Sequence, residues 1–131
     1  MEKVEMGINC LGLSFFTYLI GGFDALFNAL LIFIVLDYLT GLCKGIYKKK
    51  LNSKKSMKGI IKKIGYLCVV VLATIFGYIV HDESMAIRTL TLYFFIANEA
   101  ISILENWAII GLPLPKKLVE VFNDLKEDEK Y

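Results

Sequence analysis

The sequence predicts an all-α integral membrane protein: three transmembrane helices, an N-terminal interfacial helix and a C-terminal amphipathic helix. Three observations carry this. Of 131 residues, 56% are apolar, above the usual soluble composition. Apolar runs long enough to cross a bilayer, for which about 20 residues suffice, recur three times. Charge is segregated, with nine lysines and no acid between positions 44 and 63, while the rest of the chain holds six cations against 13 acids.

Each element follows from its own stretch of chain. The first span covers about 23–43 and is interrupted mainly by Asp24, Asn28, Asp37 and Thr40. The second, about 64–80 (IGYLCVVVLATIFGYIV), contains no charge. A third, about 86–107, is apolar but carries Arg88, Asn98, Glu99, Ser102, Glu105 and Asn106. Ahead of these, 8–20 is too short for a crossing and ends in Gly21-Gly22, which suits a helix lying in the interface. Behind them, Gly111, Pro113 and Pro115 break the helix, because neither proline can donate to a helical ladder. Over 116–126 Leu118, Val121, Phe122 and Leu125 recur at the spacing of one apolar helical face, and a charged, frayed tail runs on from Lys126. The whole chain reads as a single membrane domain.

Lysine bias orients it. The 44–63 segment reads as a basic cytoplasmic loop facing anionic lipid, so the first span runs outside to inside and the second returns. The third brings Lys116 and Lys117 back inside, giving an N-out, C-in topology. Nucleic acid is a poorer partner for a basic block wedged between two membrane spans.

Charged residues inside lipid need partners or water, since each costs about 2.5 to 3.5 kcal/mol at a helix centre. In the first span Asp37, Thr40, Gly41, Lys44 and Gly45 share one helical face. Gly41 and Gly45 form a GxxxG step that admits a close neighbouring backbone. Gly65, Val69, Ala73 and Gly77 make a second small-residue face. In the third span Arg88, Thr91, Phe95, Asn98, Ser102 and Glu105 form a stripe that Glu99 and Asn106 widen. These seams exceed what three helices can bury, which predicts self-association, with the third-span stripe packing helices or lining water in the assembled state.

Catalytic and cofactor chemistry find no support. Cys10, Cys43 and Cys68 have no partner at metal-ligand spacing and read as small apolar filler, and His81 stands alone in a polar link. No nucleophile triad or phosphate loop occurs, so the reading is of a non-enzyme without cofactor or metal.

Four segments in order, LDYLTG from Leu36, the lysine segment with Leu51-Asn52-Ser53 and KGIIKK from Lys58, NEAISILEN from Asn98 and GLPLPKKL from Gly111, resemble the toxin-secretion and phage-lysis holin family. The resemblance covers about 30–125 and leaves out residues 1–22. It implies a homo-oligomer of the bacterial cytoplasmic membrane that opens pores through which an endolysin or, in some relatives, a large toxin leaves the cell. An antiholin, or a small regulatory or channel subunit, is the alternative, since an antagonist shares the holin's pairing surfaces.

Overall fold

Caps decide where each helix begins and ends. The computed structural model describes residues 1–127, without the side chains of Phe122, Leu125, Lys126 and Glu127. The expected frayed tail, and the parts of the expected C-terminal apolar face carried by Phe122 and Leu125, lie outside the described residues and side chains. The helices are α1 (Glu2–Ile20), α2 (Ala25–Tyr47), α3 (Ser53–Ile79), α4 (Ala86–Ile110) and α5 (Lys116–Glu127). Asp24 caps α2 by accepting from the Phe27 amide at 3.0 Å, and Asn52 caps α3 by accepting from Lys54 at 3.0 Å. Asp82 serves α4, accepting from the Ala86 amide at 2.8 Å, and the Ser84 hydroxyl bonded to it holds its carboxyl below the usual carboxylate range. Gly21 and Gly111 end α1 and α4 in the left-handed conformation that a side chain disfavours.

α2, α3 and α4 are each long and apolar enough to cross a membrane, with 23, 27 and 25 residues. α2 and α4 run parallel: Arg88 at the head of α4 meets Asp24 at the head of α2, and Asn106 near its foot meets Thr40. α3 runs antiparallel to both. It packs on α4 and scarcely touches α2. α4 is therefore the hub, and its buried face includes Arg88, Leu92, Phe95, Glu99 and Asn106.

The core joins Ile20, Phe27, Leu30, Tyr66, Val70, Leu92 and Phe95, with the Tyr66 and Phe95 rings stacked at 4.2 Å. On α3 the small residues Ala73 and Gly77 are buried, but Gly65 and Val69 face outward, so the expected small-residue face is only half used. The outer surfaces carry Ile32, Val35 and Leu39 on α2, and Leu72, Phe76 and Ile79 on α3. In water such a surface would aggregate; hydrocarbon is its proper solvent.

Three expectations shift. α2 continues to Tyr47 and α3 starts at Ser53, so only a short link separates them and most of the expected basic loop at 44–63 is helical. The Asn52 cap and the good helix propensity of lysine explain this. At the N-terminus the helix starts at Glu2 instead of near position 8, helped by Glu2 and Glu5 in its first turn. α5 lies back along α4 through Val119 beside Ile101, Leu104 and Ala108, while Leu118 and Val121 of the expected apolar face stay exposed.

One arginine fixes the corner where α1, α2 and α4 meet. Arg88 donates from Nε to the Ile20 carbonyl at 2.6 Å and from Nη2 to the Gly22 carbonyl at 2.9 Å, and its Nη1 pairs with Asp24 at 2.7 Å. Three donors thus satisfy the end of α1 and the start of α2 together. Tyr18 stacks on Tyr78 at 4.8 Å beside them, but every α1 residue through Phe16 is exposed. At Gly21, φ is 79°, and an added Cβ would lie 2.5 Å from Arg88 Nε. Gly21→Ala is expected to cost about 1 to 3 kcal/mol, read as a lowered unfolding midpoint in detergent micelles. Gly12→Ala, with no neighbour within 4 Å, serves as the control and is expected not to destabilise. Equal midpoints for the two variants would remove the clamp from the account.

Candidate functional site

The three spanning helices meet at one ammonium group. Lys63 on α3 donates from Nζ to Asp37 Oδ2 on α2 at 2.8 Å and also to Glu99 Oε1 on α4. Asn106 closes the other side, donating from Nδ2 to Asp37 Oδ1 at 3.1 Å and to Thr40 Oγ1 at 2.9 Å. The Thr40 hydroxyl donates in turn to the Asp37 carbonyl at 3.1 Å. Asp37 lies about 20 Å along α2 from Asp24, at roughly 1.5 Å per residue, which is about two thirds of the way through a hydrocarbon core of roughly 30 Å. Hydrocarbon at that depth offers no hydrogen bonds, so partners within the bundle matter for each of these groups.

The cluster is unevenly buried and unevenly charged. Side-chain exposure is 20% for Lys63, 17% for Asp37 and 1% for Glu99. Two carboxyl groups share one ammonium, and Glu99 Oε2 is buried without a hydrogen-bond partner among the described residues. Lys63 also stands 5.4 Å from the centre of the Tyr66 ring. In chemical terms the site is a brace of ion pairs and side-chain hydrogen bonds that holds three helices in register.

The residues singled out from the sequence divide into two groups. Asp37, Thr40, Glu99 and Asn106 come together in the brace, with Gly41 beside the Asn106 amide, and Arg88 works separately where α1, α2 and α4 meet. Gly45 does not receive a neighbouring helix: a Cβ there would lie 2.8 Å from Leu51 of the following link. Lys44 is half-buried and makes no ion pair among the described residues. Asn98, Ser102 and Glu105 lie on another face of α4, about a quarter turn round from Glu99. Asn98 and Ser102 are half-buried, Glu105 is exposed, and none has a side-chain hydrogen bond among the described residues. Gly111, Pro113 and Pro115 end α4 and separate it from α5.

Sequence reasoning missed Lys63, which it counted among the surface lysines. A signal was present, since Lys63, Tyr66 and Val70 fall at i, i+3 and i+7, extending the buried face of the second span by one turn. Lys63→Met strands two carboxyl groups and is expected to cost about 3 to 5 kcal/mol in detergent unfolding. The neutral triple variant Asp37→Asn, Lys63→Met, Glu99→Gln is expected to recover most of that loss. A triple variant less stable than Lys63→Met would show that the brace is not electrostatic.

A model of the bacteriophage holin family matches residues 14–127. An uncharacterised 14.9 kDa protein of Clostridium perfringens is 42% identical over 125 residues, covering 95% of this chain and 94% of the relative. An uncharacterised Listeria innocua protein is 37% identical, covering 98% and 94%, and one from Bacillus subtilis 30%, covering 99% and 92%. No solved structure matches. With its three membrane-spanning helices and a match over most of its length, the chain is a multi-pass membrane protein that belongs to the bacteriophage holin family.

Proposed function

We propose that the chain is a holin, which oligomerises in the bacterial cytoplasmic membrane and opens pores that release an endolysin or a large toxin. One observation carries this reading: α4 presents Asn98, Ser102 and Glu105 on one face of its second half with no side-chain hydrogen bond among the described residues, because the brace occupies the other polar face. Lipid cannot satisfy that stripe, whereas copies of the same chain arranged around water can. Individual helix–helix hydrogen bonds in membranes are modest, roughly 0.6 to 2 kcal/mol, so several aligned polar positions are needed to favour a ring over dispersed monomers.

The orientation is N-out and C-in. The foot of α2, the head of α3 and the foot of α4 share one end, so the lysine-rich link and Lys116-Lys117 together form the inner surface. α1 then lies at the outer interface, tied to the bundle by the Arg88 clamp, and α5 lies at the inner one.

Inducible expression beside a large cytoplasmic reporter enzyme and a wall hydrolase tests the function. Membrane potential is expected to collapse and the reporter to appear in the medium. The variant Asn98→Leu, Ser102→Leu, Glu105→Leu is expected to accumulate in the membrane and leave the potential intact. Loss of potential with the reporter retained points to a small channel, and no change in either points to an antagonist or regulatory subunit.

A further inference from the structure

The lysines at the inner end make an arrangement that a loop would not. Of the nine lysines between positions 44 and 63, only Lys63 is in an ion pair among the described residues. Because α3 is helical from Ser53, Lys54, Lys58 and Lys62 stand at i, i+4 and i+8, a rigid ladder about 12 Å long. Beside it runs an apolar stripe of Met57, Ile61 and Ile64, each more than half exposed.

Left bare, this ladder works against its own helix. Cations in the first turns oppose the helix dipole, and like charges four residues apart repel. An anion removes both penalties, and its kind follows from the surroundings. Lys62 adjoins Lys63, whose ammonium pairs with Glu99 between the spanning helices, so the Lys62 end of the ladder is the one nearer the apolar bundle. A large soluble polyanion such as nucleic acid cannot follow it there. A phosphate carried on acyl chains can, with the chains along Met57, Ile61 and Ile64 and the lysine stems extended toward the headgroups.

We propose that the N-terminal third of α3 is a binding surface for anionic phospholipid, with Lys54, Lys58 and Lys62 holding the headgroup phosphates. The surface belongs to the inserted chain whether or not it forms pores. Each lysine near a membrane surface contributes enough to change lipid association about fivefold.

The test uses the full chain reconstituted in phosphatidylcholine vesicles, with trace spin-labelled phosphatidylglycerol or spin-labelled phosphatidylcholine reporting the lipid at the protein surface. The wild type is expected to prefer the anionic label, and the preference to weaken with added salt. The variant Lys54→Gln, Lys58→Gln, Lys62→Gln is expected to lose roughly fivefold per lysine, whereas Lys48→Gln, Lys49→Gln, Lys50→Gln loses clearly less. The variant Lys54→Arg, Lys58→Arg, Lys62→Arg keeps the preference, which separates lost charge from lost fold. Equal losses from the two glutamine triples would overturn the proposal, as would displacement of the labelled lipid by inorganic phosphate, the mark of a free-anion site.

Discussion

Lys63 reaches from a helix that scarcely touches α2 and bonds carboxylates on α2 and α4 at once. The other features of the bundle are arranged around that ammonium. α2 and α4 run parallel and pack closely, so their carboxylates, Asp37 and Glu99, project toward the same level from neighbouring helices. Without a cation there, two carboxyl groups would lie together in a low-dielectric interior, which is among the more expensive arrangements a membrane protein can hold. Asn106 and Thr40 complete the hydrogen bonding of Asp37, and Glu99 Oε2 is left unserved among the described residues.

The brace also decides what α4 has left to offer. A helix has one circumference, and the arc containing Arg88, Leu92, Phe95, Glu99 and Asn106 is occupied inside the chain. The polar residues beside that arc cannot reach the same partners. Asn98, Ser102 and Glu105 are therefore left over, and leftover polar groups on a spanning helix need more chains or water. The closed inner core and the open outer stripe are two consequences of one packing arrangement.

Much of the fold was legible in the sequence because lipid imposes a simple rule, a long apolar run wherever the chain crosses. The three runs and the Gly111-Leu112-Pro113 break were readable for that reason. The lysine segment was misread because charge was taken as a sign of loop, although Asn52 is a helix-starting residue and lysine is content in a helix. The site was legible in kind but not in pairing. Asp37 and Glu99 stood out as costly in lipid, yet their common partner lies 26 and 36 residues away, and no local pattern encodes a contact of that span. Similarly, the α4 stripe was visible as polar, but its division into two faces depends on which neighbour packs where.

The most direct test of this division is thiol accessibility from water in the active assembly, in a chain whose native Cys10, Cys43 and Cys68 are replaced by alanine. Single cysteines at Ser102, on the stripe outside the brace, and at Thr40, within the brace, are exposed to a membrane-impermeant thiol reagent once the membrane has become leaky. The account predicts that Ser102→Cys reacts while Thr40→Cys stays protected. Protection at Ser102→Cys would contradict it, and so would equal reaction at both positions, because the brace would then not survive opening.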